Sequence, residues 1–293
     1  MKKDDLKNKI FKLIDQYYKP LNSKKRKHIP ISDLCYGAEE VKAALDALLD
    51  GWISQGKNVN EFEKVFSEKI GLRYGIATNS GSSSNLIALN ALRDMHNLNK
   101  ETQVIVPAST FATVSMPIIQ LGLTPVYVDI DRQSLNIDPE SVKNAINDKT
   151  RILMPVHTLG LPADMEKLMT IADEYNLIVI EDCCEAHGAS INDKIVGSWG
   201  HISTFSFFVA HNMTTGEGGM ILTNNEELYT KCQSLREFGR YKNRTNNSEL
   251  YYTDDILKDY DKRYVFSEIG YNIRMTDICA ALGIEQTKKL DGM

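Results

Sequence analysis

Four short runs of aliphatic and β-branched residues recur through the middle of the chain: "QVIVP" at 103 to 107, "PVYVDI" at 125 to 130, "RILMPV" at 151 to 156 and "LIVIED" at 177 to 182. Each has the length of a strand, and none shows a clean apolar and polar alternation. A strand without a polar face must be covered on both sides, so these runs predict a mainly parallel sheet layered between helices, an α/β fold. Helical apolar spacing lies around them at Gly37 to Leu49, Glu61 to Ile70, Ser83 to Met95 and Asp164 to Tyr175, where Met165, Leu168, Met169 and Ala172 share a face. Two further strands, "STFSFF" (203 to 208) and "GGMILT" (218 to 223), precede a helix from Asn225 to Glu237. Sheets of this kind take ligands at the carboxyl ends of their strands. Those ends carry the unusual residues: Pro107 to Phe111, Pro155 to His157, and Glu181 to His187.

At 293 residues the chain has room for a sizeable core, and 34 Lys and Arg against 39 Asp and Glu leave a net charge of −5. That mild acidity gives no electrostatic reason to expect nucleic acid or an anionic membrane as partner. No window approaches the ~18 consecutive apolar residues of a membrane span, and Met1 to Asp5 lacks an apolar signal core, so a cytoplasmic location is expected. Five scattered cysteines, Cys35, Cys183, Cys184, Cys232 and Cys279, form no C-x-x-C pair, which argues against a disulfide framework and a zinc site. The glycosylation triplets at Asn243 and Asn246 are then chance matches. Residues 1 to 30 read as a charged helix, with Leu6, Ile10, Leu13 and Ile14 on one face, and a basic linker (Lys24 to His28) ending at Pro30. Residues 31 to 293 form the main domain. The polar stretch Tyr241 to Asp261 reads as a long loop.

Three places could carry chemistry. The segment "TNSGSSSN" (78 to 85) lies between a strand and a helix, where Gly81, Ser82 and Ser83 would offer backbone N–H groups and hydroxyls to a phosphate, or would only cap the helix. Asp182 ends the strongest strand; there it could pair with a cationic ring nitrogen or with a nearby Arg or Lys. Cys183 and Cys184 after it read as small core residues. His211 sits in "SFFVAHNMTTGEGG" (206 to 219), after a strand and before a glycine-rich turn, where it is either a base or a satisfied structural histidine.

Six motifs in this order, "TNSGSSSN", "VPASTFAT", "VDID", "EDCCEAHGA", "TFSFF…GEGG" and "GYNIRMTD", make the chain from about Ile31 onward resemble the DegT/DnrJ/EryC1/StrS aminotransferases, fold-type-I pyridoxal-phosphate enzymes acting on nucleotide-linked keto-sugars. The resemblance implies that Ser82, Ser83 and Ser206 hold the cofactor phosphate at Gly81, that Phe111 stacks on the pyridine ring and that Asp182 pairs with its protonated nitrogen. It implies that Asn272 of "GYNIRM" reaches the phosphate of a neighbouring subunit in a homodimer. Glu185, where the aminotransferases carry Gln, would face the ring hydroxyl.

The chain departs from that family at His211, which replaces the lysine to which the aminotransferases tether their cofactor. The same replacement marks the 3-dehydrases of nucleotide-linked 4-keto-6-deoxyhexoses, which use pyridoxamine 5′-phosphate, and "AHNMTTGEGGM" resembles that branch. Histidine, with a reference pKa of about 6.5, can take a proton from the cofactor's C4′ carbon at neutral pH without competing for its aldehyde. One subtype of the branch carries an iron–sulfur cluster on closely spaced cysteines; Tyr241 to Asp261 holds none, so no metal is expected. The resemblance then implies a cofactor regenerated from glutamate, and a product destined for O-antigen or another surface glycan. Two rivals remain: an ordinary sugar aminotransferase, and a catalytically silent protein of the same fold. Against the first, His201 to Gly219 contains no lysine. Relatives also continue past the position of "GIEQTKKLDGM" into a small C-terminal domain, so the chain is expected to be a large cofactor-binding domain without it.

Overall fold

The computed structural model describes residues 2–19, 35–240, 261 and 264–293. Its centre is a seven-stranded sheet of β1 (Tyr74–Thr78), β2 (Gln103–Pro107), β3 (Thr124–Val128), β4 (Thr150–Leu153), β5 (Ile178–Asp182), β8 (Ile202–Ser206) and β9 (Gly219–Thr223), in the order β1-β9-β8-β5-β4-β2-β3. From β8 to β3 every pairing is parallel, as the unbroken apolar runs predict; β9 alone runs antiparallel to both neighbours. A small hairpin, β6 (Ser190–Ile191) and β7 (Lys194–Ile195), follows β5 and turns at Asn192 and Asp193, both with positive φ.

Alternation along each strand sorts the core into two faces. Ile76, Val104, Val106, Ile152, Met154, Ile180, Ile202 and Ile221 point to one side, packing under α4 (Gly81–Met95), α5 (Ala112–Gln120) and α8 (Glu226–Arg236). Their neighbours face the other way. Phe205, Phe207, Met220 and Leu222 meet Phe62 and Phe66 of α3 (Lys57–Ile70), and Ile105, Leu153 and Val179 lie under α7 (Met165–Tyr175) and α6 (Pro139–Ala145). Fully burying side chains of this size contributes about 1.5–3 kcal/mol each, so the sheet's position is fixed by both layers.

Helix α3 begins four residues before the expected Glu61, and the reason is not local. Gly56, its cap residue, has no side chain; instead Asp277 of α9 (Asp277–Lys289) accepts from Asn58 N at 3.2 Å and Val59 N at 3.0 Å. Close approach of α9 to α3 needs Gly283, where an added Cβ would lie 2.5 Å from the Phe62 ring. The edge strand β1 is pinned by a buried ion pair: Glu63 accepts from Ala77 N at 2.9 Å, and Arg236 reaches both Glu63 and the Ala77 carbonyl. Helix α2 (Ala38–Asp50) packs on α9, close to the expected bounds.

The N-terminal helix α1 (Lys3–Tyr17) forms as expected, but it buries nothing: Leu6, Ile10 and Leu13 stay exposed, and Lys42 on α2 meets Asp15 at 2.7 Å. The basic linker and most of the expected 241–261 loop lie outside the described residues. No helix among the described residues is long and apolar enough to cross a membrane.

Candidate active site

The carboxyl ends of β1, β5 and β8 meet the first turn of α4. Ser80 caps that helix, its Oγ accepting from Ser83 N at 3.1 Å, so the N–H groups of Gly81 and Ser82 are left without intrahelical partners. The cap is thus Ser80 rather than one of the three residues after it, and the N–H groups of the next two positions remain available to an anion. A Cβ on Gly81 would lie 2.5 Å from Ser206 Cβ and 2.9 Å from Cys184 Sγ, which sets Ser206 at the end of β8 directly beside the turn. Gly219 of β9 is equally tight: a Cβ there would collide with the Ser80 carbonyl. Ser83 Oγ donates to Asn79 Oδ1 at 2.7 Å, while Ser82 is only half-buried.

Asp182 is buried, and no Arg or Lys pairs with it among the described residues. Its Oδ2 accepts from Asn85 Nδ2 at 2.8 Å and its Oδ1 from Cys184 N at 3.0 Å. Asn85 is oriented in turn, because Thr204 Oγ1 donates to Asn85 Oδ1 at 2.6 Å. Asn85 and Thr204 lie inside motifs the sequence singled out, yet their part was missed. The available signal was a polar side chain on an otherwise apolar helix face and on a central strand. Phe111, the cap residue of α5, is 74% exposed and presents its ring as a bare apolar surface. That platform, a carboxylate at the strand end and a free helix N-terminus fit a planar, phosphorylated, cationic ring.

Glu185 lies in the turn after β5 and its Oε2 accepts from Leu159 N at 2.7 Å, clamping a turn where Leu159 has φ +54° and Gly160 +86°. Asn272 is exposed; its Oδ1 accepts from Arg274 Nε at 3.2 Å, and the residues after it run beside the start of the Gly81 turn, where Asn79 N donates to the Ile273 carbonyl at 2.9 Å.

His211 is half-buried, and its ring nitrogens make no hydrogen bond among the described residues. Burial lowers its pKa below 6.5, while the negative charges of Glu185 and Asp182 oppose that shift. It is therefore a neutral imidazole at pH 7, with a free nitrogen and two carboxylates to steady a proton it receives. His157 is its opposite: Nδ1 accepts from Ala163 N at 3.0 Å, which fixes the tautomer so that Nε2 donates to Glu181 Oε2 at 3.2 Å. Glu181 also accepts from the backbone N–H groups of Gly197 (2.8 Å), Trp199 (2.7 Å) and Gly200 (2.6 Å). His157, Glu181 and Cys183 bring possible metal-ligand atoms within 4.8 Å of one another, but this carboxylate is already filled with donors. The Cys183 and Cys184 thiols are both pushed up by burial, which keeps them protonated.

The model of the DegT/DnrJ/EryC1/StrS aminotransferase family matches residues 34–293. The lipopolysaccharide biosynthesis protein RfbH of Salmonella typhimurium is 36% identical over 99% of this chain and 70% of its own length. GDP-perosamine synthase of Vibrio cholerae is 34% identical over 90% of this chain and 66% of its own. Among solved structures, E. coli GDP-4-keto-6-deoxy-D-mannose-3-dehydratase with bound hydrated PLP superposes with a TM-score of 0.83 at 34% identity, over 90% of this chain and 68% of that one. The mostly parallel sheet and its helices are those of the fold-type-I group. The chain spans between 56% and 70% of the length of the curated relatives it matches.

Proposed function

Because the chain belongs to the DegT/DnrJ/EryC1/StrS aminotransferase family, we propose that it acts with pyridoxamine 5′-phosphate to remove the C3 hydroxyl of a nucleotide-linked 4-keto-6-deoxyhexose, toward a 3,6-dideoxyhexose of a surface polysaccharide. The observation that carries this reading is His211: a neutral, uncommitted imidazole at the strand end beside Asp182, with no lysine between Lys194 and Lys231.

When bound, the cofactor supplies an amine that condenses with the sugar ketone and a ring that accepts electrons. Gly81 and Ser82 N–H groups, with the hydroxyls of Ser82, Ser83 and Ser206, would hold its phosphate. Asp182, kept in place by Asn85 and Thr204, would hold the proton on the ring nitrogen, and Phe111 would cover one ring face. Glu185 lies beside this set and would meet the ring hydroxyl while anchoring the Leu159 turn. His211 receives the proton given up at the C4′ carbon, and the adjacent carboxylates stabilise its charge until the departing C3 oxygen takes a proton. Asn272, exposed on its own chain, would serve a second copy in a homodimer. Glutamate would restore the amine form.

The test is incubation with pyridoxamine phosphate and a panel of GDP-, CDP- and dTDP-linked 4-keto-6-deoxyhexoses, following the C3 oxygen by mass spectrometry. Loss of that oxygen is expected. A stable 4-amino sugar would establish an aminotransferase instead, and no product with cofactor bound would make the protein a silent member of the family.

A further inference from the structure

His187 has no part in the chemistry above, although its ring packs beside that of His211. It follows β5 in the same turn as Glu185 and is 6% exposed. Its ring centroid lies 6.3 Å from that of His211, 5.5 Å from Phe207, 5.7 Å from Phe205 and 6.3 Å from Phe66. A fourth aromatic hydrocarbon would fill this pocket. An imidazole brings two polar atoms into it, and neither ring nitrogen makes a well-formed hydrogen bond. Leaving one such group unsatisfied costs about 1–3 kcal/mol, so its presence calls for a return elsewhere.

The groups facing those nitrogens are the Asn212 side chain and the Ser206 backbone, both in the segment that carries His211. That segment needs support. Phe207 and Met213 are fully buried, but between them only Phe208 bridges to another segment, at Gly216, and residues 209 to 212 form turns and bends, with His211 N donating to the Phe208 carbonyl at 3.0 Å. Asn212, exposed on its outer side, and His187 share the wall of a cavity of about 410 Å³ beside Gly160 and Leu290.

We propose that His187 is a positioning residue: its neutral ring engages the Asn212 side chain and thereby seats His211, the preceding residue, at its working angle. Burial pushes the His187 ring down to about 3, with His211 as a second cause, so it stays uncharged while His211 titrates. The other charged groups acting on His211 are Glu185 and Asp182, neither of which depends on His187 for its hydrogen bonds. The inference rests on His211 being the base.

Two measurements test it. In cofactor-free protein labelled at histidine nitrogen, the His187 ring should remain neutral in one tautomer down to pH 5, and His187→Phe should shift and broaden the His211 ring signals. With pyridoxamine phosphate and GDP-4-keto-6-deoxymannose, His187→Phe should lower kcat about 10- to 100-fold with KM within twofold, and His187→Asn, which can still bond Asn212, should recover much of it. His187 titrating between pH 5 and 8, or wild-type kcat with unchanged His211 signals in His187→Phe, would overturn the proposal. His211→Asn runs alongside: its inactivity with an active His187→Phe removes only the positioning role, whereas its full activity removes the reading of His211 itself. Should His187→Phe fail to fold, the wild-type titration and His187→Asn still decide.

Discussion

Glu181 and Asp182 are consecutive acids at the end of one buried strand, yet they belong to different kinds of site. Strand alternation turns Glu181 to the α7 side, where one His Nε2 and three backbone N–H groups fill its lone pairs, and turns Asp182 toward α4, where Asn85 and one backbone N–H hold it. The histidines divide the same way: both nitrogens of His157 are engaged by protein, and neither nitrogen of His211 is. A polar group whose capacity is used up by the protein holds the fold together; one left with spare capacity is available to a ligand.

The contrast can be broken most directly at the histidines. His211→Asn should leave the melting temperature within a few degrees and reduce turnover about 10²- to 10⁴-fold, measured as C3 deoxygenation. His211→Lys sharpens the point: added pyridoxal phosphate should become covalently attached, visible as absorbance lost on borohydride reduction, and a spectrum unchanged from free cofactor would refute the placement of His211. Glu181→Ala should do the reverse of His211→Asn, costing about 3–5 kcal/mol and lowering the melting temperature by roughly 10 °C. Asp182→Asn, whose amide nitrogen must face one of the two donors, should cost about 1–3 kcal/mol, and its cofactor should be lost on dialysis far sooner. Smaller still, Thr204→Val should destabilise by about 1 kcal/mol and weaken cofactor retention, because Asn85 is then free to turn.

Acid should separate the regions as well. His211 titrates below 6.5, so kcat should be level through neutral pH and fall once acid protonates the ring. His187, at 6.5 unfolded and about 3 folded, binds fewer protons in the folded state between those values. Its contribution to stability is thus complete above pH 6.5 and is lost as pH falls toward 3. Urea titrations across that window should show a shallower loss in His187→Phe than in the wild type.

Strands β2 to β5, β8 and β9 were legible because continuous apolar runs bounded by Pro, Gly and Asp leave few alternatives, and their ends carry Phe111 and Asp182, whereas Ser206 entered only through the family resemblance. Helix α5 was not legible: Pro117 inside it is a breaker signal overridden by burial of Val114 and Ile118 under the sheet. The start of α3 depends on Asp277, some 218 residues away in sequence, which no window could register. Glu181 and His187 lay in plain view in one motif and His157 at a strand end, but which face each occupies is a property of the packed sheet. The apolar face of α1 forms a helix face but misleads about burial, because only its edge meets α2 and Leu6, Ile10 and Leu13 stay exposed.

The crowding around Gly81 bears on how such a site could be redesigned. With Ser206, Cys184 and the Ser80 carbonyl all at contact distance from the two glycines, neither Gly81 nor Gly219 can accept even a methyl group without moving a strand end. A mutational library would find the Gly81 turn closed to variation, whereas the surroundings of the exposed Phe111 ring and of the exposed Leu159 side chain remain open to it.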